Sequence, residues 1–218
     1  MDAPSLRFGT RSARLGTTAL SALAVLLLLG AGPAGDPPGG KQPRSGERSP
    51  SAAKPPAGEH VSGRDLIDVA SVADLEGHFR RDHGTPRLVL ILSPTCIDCI
   101  RAARWLEQDI LKRHPKLPFR VYALWFHRLS TDRRDVWPST ALSDGRVEHF
   151  WEEGSSISRW YGKEFQTRRP VPWNVYFLYT SGADSLGVRD SVVSWGSWVS
   201  DSREKIRENL ARLTGEKL

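Results

Sequence analysis

Apolar positions along the chain change their period several times, and each change marks an element. A short apolar run at 66–69 predicts a first strand. Within 71–83, Val72, Leu75 and Phe79 recur at i, i+3 and i+7, the spacing of an amphipathic helix that Ser71 is placed to cap. The segment Arg87-Leu-Val-Leu-Ile-Leu-Ser93 is continuously apolar rather than alternating, as in a strand buried on both faces in the middle of a sheet. Pro94 and Thr95 interrupt it. Thr95 then reads as the N-cap of a helix from 96 to about 114, with Ile100, Ala103, Leu106 and Ile110 on one stripe and Pro115 and Pro118 ending it. A strand at 119–126 follows, so strand, helix and strand suggest a parallel crossover.

From 129 to 169 the pattern is mixed. A helix is predicted near 156–165, and Trp137, Trp151 and Trp160 suggest an insertion packed on the core. Val171-Pro172 leads into a strongly strand-forming run at 173–179, Ser181-Gly182 supplies a turn, and 191–195 reads as an edge strand. Ile206, Leu210 and Leu213 put one apolar face on a closing helix.

The first 61 residues follow other rules. Arg7, Arg11 and Arg14 precede an apolar stretch at 18–29 that ends in Gly30-Ala-Gly-Pro-Ala-Gly35, the three-part layout of a secretory signal peptide. The stretch is short of the roughly 20 apolar residues that span a bilayer. Residues 1–34 are therefore read as a signal peptide, with a retained N-terminal membrane anchor as the alternative. Residues 35–61 are dominated by Pro, Gly, Ser and Lys and read as a flexible linker, because nothing apolar offsets their ordering entropy. Residues 62–218 are left as one domain of ordinary size, exported to a periplasmic or extracellular location and either free or membrane-tethered.

Charge narrows the function classes. The formal net charge of +6 is shared with the N-terminal segment, and 62–218 carries 24 Lys/Arg against 21 Asp/Glu. Acidic and basic residues interleave, without a basic run or an aromatic-basic motif, so no nucleic-acid partner is expected. Neither a nucleophile-elbow motif nor a phosphate-binding glycine loop occurs, which leaves little for a hydrolase or nucleotide-binding reading.

The two cysteines carry the chemistry. Cys96-Ile97-Asp98-Cys99 sits where a buried strand hands over to a helix. The first turn of a helix offers unpaired amides and the positive end of the dipole, both of which favour a thiolate. The spacing brings the two sulfurs close enough to bridge. Cys96 at the helix entrance would be the nucleophile that forms a mixed disulfide, and Cys99 the thiol that resolves it from inside. Asp98 adds a negative charge between them that opposes a thiolate at Cys96.

With Leu88-Val-Leu-Ile-Leu-Ser-Pro-Thr-Cys-Ile-Asp-Cys99 and Val171-Pro-Trp-Asn-Val-Tyr-Phe-Leu-Tyr179, the chain resembles the thioredoxin-like superfamily over 66–213, in particular exported bacterial members. The resemblance implies an α/β thioredoxin-like fold: a central mixed β-sheet flanked by helices, with an insertion between the CxxC helix region and the strand opened by a cis proline. It also implies a substrate-binding role for Val171 and Pro172, with Pro172 cis and Val171 pairing main chain to main chain with substrate, Pro170 being a competing candidate for the cis proline. Trp173, directly after Pro172, has the best claim among the tryptophans to border the substrate surface. Two departures stand out. Thr95 replaces the usual tryptophan, and Leu90 replaces the buried acid six residues before Cys96, so Cys99 lacks its usual proton-transfer helper.

The leading expectation is an extracytoplasmic thiol-disulfide oxidoreductase, an enzyme acting on protein thiols or disulfides together with a redox partner. It would need no cofactor beyond the redox-active Cys96-Cys99 disulfide. The alternative is a metal-binding or partner-binding module on the same fold, and a third reading is a static structural bridge. Against a metal, the six histidines at 60, 78, 83, 114, 127 and 149 show no ligand spacing with one another. His127, at the end of the strand neighbouring the dithiol, is the one most closely placed. The direction of electron flow and the oligomeric state stay open.

Overall fold

A computed structural model describes residues 65–218. The proposed signal peptide and the whole of the linker lie outside the described residues. Among the described residues, no helix is long and apolar enough to cross a membrane.

The elements run β1 (Leu66–Asp68), α1 (Val72–Arg81), β2 (Arg87–Leu92), α2 (Ile97–Trp105), β3 (Arg120–Phe126), β4 (Val147–Glu152), α3 (Ser156–Glu164), β5 (Val175–Tyr179), β6 (Val192–Ser197) and α4 (Arg203–Thr214). Six strands form one sheet in the order β1-β4-β3-β2-β5-β6. β1, β4, β3 and β2 are mutually parallel, β5 runs antiparallel to β2, and β6 runs antiparallel to β5. As the continuous apolar run predicts, β2 is buried throughout at the centre.

Strand alternation divides the core between the two faces. Leu88, Leu90 and Leu92, with Trp125, Tyr176 and Leu178, face α2 and α4 through Ala102, Ala103, Ile206 and Leu210. Val89 and Ile91, with Tyr122, Leu124 and Phe177, face α1 and α3 through Leu75, Phe79, Ile157 and Tyr161. Helices therefore cover both sides, which is why β2 has no polar face to show.

Local signals account for the helix ends. The Ser71 hydroxyl accepts from the Asp74 amide at 3.3 Å and the Asp74 carboxylate accepts from the Ser71 amide at 3.0 Å, a reciprocal capping box. Gly215 closes α4 at φ 73°, a left-handed conformation that suits glycine.

Three expectations change. The long helix after the cysteines is α-helical only to Trp105, and Leu106–Leu111 is π-helical. Within that turn the buried Glu107 accepts from the Ser143 amide at 3.0 Å, the Ser143 hydroxyl at 2.8 Å and the Asp144 amide at 3.3 Å. The wider turn thus serves an inward carboxylate that ties down the following loop.

The insertion does more than pack on the core, because β4 joins the sheet between β1 and β3. Its sequence, Val147-Glu-His-Phe-Trp-Glu152, hides a buried strand because each of its three polar side chains finds a partner inside. Glu148 accepts from Arg81 and lies 3.3 Å from His78. His149 accepts from Trp125 Nε1 at 3.1 Å and donates from Nε2 to the Leu142 carbonyl at 3.1 Å.

The strand predicted from 173 begins only at Val175, because Asn174 sits at φ 53°, where strand pairing stops.

Candidate functional site: a dithiol at a helix entrance

β2 ends at Leu92 and the chain turns through Ser93, Pro94 and Thr95 into α2. The N-cap is Cys96 itself, not Thr95. Its Sγ accepts from the Cys99 amide at 3.4 Å, the position a serine or aspartate oxygen usually fills. Cys96 is partly exposed and Cys99 is buried, and both are free thiols.

This geometry separates the two sulfurs chemically. The Cys99 thiol donating to Cys96 Sγ, helped by the Cys99 and Asp98 amides, lowers Cys96 to about 6 against the opposing effects of burial and the Asp98 charge. The same hydrogen bond, followed by burial, pushes Cys99 far up. Asp98 therefore opposes the thiolate as its charge predicts, but it is held 3.1 Å from Arg101 and its own amide helps the thiolate. At neutral pH Cys96 is the thiolate and Cys99 the protonated thiol.

A residue that sequence reasoning missed organises this turn. Asp132 is buried, and its carboxylate accepts from Ser93 Oγ at 2.8 Å, the Thr95 amide at 3.1 Å and Thr95 Oγ1 at 2.5 Å. It also accepts from the Arg128 and Leu129 amides at 2.9 and 2.7 Å. Burial opposes its charge, yet these donors, led by the Thr95 hydroxyl, hold its pKa below the ordinary carboxylate value. It pins the turn before Cys96 to the loop after β3, and its charge acts on Cys99. Leu90, by contrast, lies in the core, six residues before Cys96. Asp132 lies 36 residues after Cys96 in sequence, within a stretch of loop without periodic pattern, and Ser93 and Thr95 are the adjacent signals that a polar partner is needed.

The segment expected to border the substrate leads into β5 at the end of the sheet where β2 gives way to this turn, since β2 and β5 pair antiparallel up to Ile91 and Val175. Cys96 packs on the core face of α2 and α4, and Trp173 packs against the cores of both faces.

The Val171–Pro172 bond is not cis: every peptide bond among the described residues is trans. The loop is instead held from α3. The Pro172 carbonyl accepts from Ser158 Oγ at 2.5 Å, and Gly162 lies so close that a Cβ there would stand 2.3 Å from the Pro170 oxygen. With those contacts fixing the loop, the trans form, favoured by about 0.5–1 kcal/mol for X–Pro bonds, is retained.

His127 lies exposed at the end of β3 and lines one cleft with Val171 and Trp173. Among the described residues, no three His, Cys, Asp or Glu side chains are gathered as a metal would require.

No family model matches the chain and no curated protein matches it. Among solved structures it is similar to a thioredoxin-like protein in the oxidised form, at TM-score 0.43 and 14% identity over 62% of this chain and 80% of that one. It is similar to a secreted Mycobacterium tuberculosis disulfide oxidoreductase homologous to E. coli DsbE, at TM-score 0.37 and 14% identity over 63% and 87%. It is also similar to Trgpx in apo form, at TM-score 0.41 and 17% identity over 71% and 99%. What decides the fold is the chain itself: a parallel β-α-β unit followed by an antiparallel hairpin, with the dithiol opening the helix after the central strand. The fold is thioredoxin-like. Its difference from the minimal arrangement is β4, which widens the sheet between β1 and β3.

Proposed function

We propose that this protein is an extracytoplasmic thiol-disulfide oxidoreductase acting on protein thiols and disulfides. The observation that carries the reading is the split between a partly exposed Cys96 lowered to about 6 and a buried, protonated Cys99. A static bridge has no use for such a division, whereas dithiol exchange requires it.

In the reductive direction, Cys96 Sγ attacks one sulfur of a substrate disulfide. That S–S bond breaks and the other substrate sulfur leaves as a thiolate. Cys99 then gives up its proton to solvent and attacks Cys96 Sγ, closing the Cys96–Cys99 bond, breaking the mixed disulfide and releasing the second substrate thiolate. Two electrons pass from the dithiol to the substrate, and a redox partner restores the dithiol. Asp132 supports this step as a positioning residue, since it fixes the turn before the nucleophile. Val171, Pro172 and Trp173 supply the wall along which substrate lies. The extracytoplasmic assignment rests on the signal-like 1–34 segment, and the dithiol is the redox group.

The test is equilibration of the protein with glutathione buffers, read by alkylation and mass, together with two variants. A reversible couple between about −120 and −270 mV is expected. Cys99→Ser should accumulate a mixed disulfide on Cys96, and Cys96→Ser should lose exchange altogether. Iodoacetamide reactivity of Cys96 should rise with pH about a midpoint near 6 rather than 9. A bridge that stays oxidised below about −300 mV, or a Cys96 that titrates at 9, would remove the proposal and leave a structural pair.

A further inference from the structure

Beside the dithiol, cationic and aromatic side chains alternate in a stack. The Arg128 guanidinium lies 4.2 Å from the Trp173 ring, Arg169 lies 4.3 Å from the same ring, and Arg169 is also 4.9 Å from the Trp198 ring. Arg159 stands nearby, anchored only to Ser155 Oγ at 3.3 Å. Among the described residues, none of these three guanidinium groups is paired with a carboxylate. They border a cleft of about 590 Å³ whose lining also includes His127, Val171 and Trp173 and contains no acidic residue.

Two further features suggest that the stack is built to be open. Trp198 is 40% exposed and sits at φ 58°, a left-handed conformation that is unfavourable for a bulky residue. It is held there by its amide donating to the Asn174 carbonyl at 2.6 Å, while Asn174 Oδ1 accepts from the Val199 amide at 3.1 Å. A guanidinium lying on an aromatic face keeps its N–H edge pointing outward, free to grip a carboxylate with two hydrogen bonds. The stack is also tied to the nucleophile, because one Asp132 carboxylate receives both the Arg128 amide and the Thr95 amide next to Cys96.

We infer that this arginine-tryptophan stack binds an acidic segment flanking the reacting cysteine of the protein substrate. The inference rests on the oxidoreductase reading and adds a substrate class to it. Aspartate or glutamate side chains would meet Arg128, Arg159 and Arg169 across the cleft while the substrate backbone passes Val171 and its sulfur reaches Cys96. The charge complementarity should appear mostly in the rate of encounter, and salt should weaken it.

The test uses the reduced full chain and peptides whose central cysteine carries 5-thio-2-nitrobenzoate, flanked by glutamates, glutamines or lysines. In low salt the glutamate peptide should react about tenfold faster than the glutamine peptide, with the lysine peptide slowest, and the order should flatten in high salt. In the Arg128→Gln/Arg169→Gln variant the glutamate-to-glutamine ratio should fall to about one. Equal rates for all peptides in the unmodified protein, or an undiminished ratio in the variant, would overturn the inference while leaving the oxidoreductase reading intact. A cysteine-to-serine version of the glutamate peptide, followed by tryptophan fluorescence, separates the two ideas: if it binds but no peptide is exchanged, the redox reading fails and the acidic-segment site stands. Tighter binding of a single-stranded oligonucleotide of equal charge would overturn the site's assignment to an acidic peptide.

Discussion

At the end of the sheet where the parallel strands begin, Arg81, Arg87, Arg120 and Arg146 are each engaged inside the protein, whereas at the end where they finish Arg128 and Arg169 lean on aromatic rings and Arg159 on a hydroxyl. Arg87 donates to the carbonyls of Phe79, Thr180, Ser181 and Ala183 at 2.8–3.2 Å. Arg120 meets Asp82 at 3.3 Å and Arg81 meets Glu148. Arg146 holds Asp144 at 2.8 Å and three carbonyls of the loop after α2. The same residue type thus closes the fold at one end and stays available at the other. The available set lies at the carboxyl ends of the strands, where α/β sheets present their sites.

The comparison breaks first at Arg87. It is fully buried, and Arg87→Met would leave four carbonyls at the α1 and β5 ends without their donor. A loss of about 3–5 kcal/mol is expected. Urea unfolding measures it, and a loss below about 1 kcal/mol would show that the carbonyls find other partners and that the first end is less committed than its geometry implies.

How far the sequence could show this division differs by element. Strands buried on both faces and amphipathic helices are set by apolar period, so β2, β3, α1 and α4 are legible to within a few residues. β4 is not, because Glu148, His149 and Glu152 look solvent-facing until Arg81, Trp125 and Ser156 are seen to satisfy them. The dithiol is legible because its chemistry is local to four residues. Asp132 is not, since its role comes from a loop closure that no periodicity records. The stack of Arg128, Trp173, Arg169 and Trp198 draws on three separate segments, and in sequence these residues look like scattered surface arginines and core tryptophans. The trans Val171–Pro172 bond shows the converse, a family feature that the motif suggests and the chain does not adopt.

Acid should separate the two ends by a smaller margin. His149 is buried between Trp125 and Trp137, and burial, against the Leu142 hydrogen bond, lowers it from 6.5 to about 4. Between those values the unfolded chain binds a proton that the folded chain does not. His149 therefore contributes stability that is complete above about 6.5 and lost as pH falls towards 4, on the order of 3 kcal/mol. Glu148 is lowered from 4.5 to about 2, its hydrogen bonds from His78 and Arg81 outweighing burial, so its contribution survives until the pH drops below about 4.5. Cys96 loses its thiolate near 6 over the same first interval. Unfolding at pH 7.5 and 5 should thus show a drop that His149→Gln reduces without abolishing, because the lowered Cys96 also gives up stability as pH falls towards 6, while the fall in Cys96 reactivity persists in that variant. If both responses vanish together, the two regions are coupled and the division between structural and available groups fails.

The smallest expected effect is the most discriminating. Arg128→Gln and Arg169→Gln remove guanidinium groups whose contacts are aromatic faces at a partly open surface, and such contacts contribute about 0.5–1 kcal/mol each. Their side chains leave no buried carboxylate or carbonyl unpaired, so neither substitution should cost more than about 1 kcal/mol in urea unfolding, against the several expected at Arg87. The Arg128 variant keeps its backbone amide on Asp132, so the turn before Cys96 stays pinned and the iodoacetamide midpoint of Cys96 should stay near 6. A cost above about 2 kcal/mol in either variant would mean that the stack holds Trp173 and Trp198 in place as part of the fold. In that case the arginines at the dithiol end would be structural like those at the other, and a cleft without acidic residues would no longer point to an acidic partner.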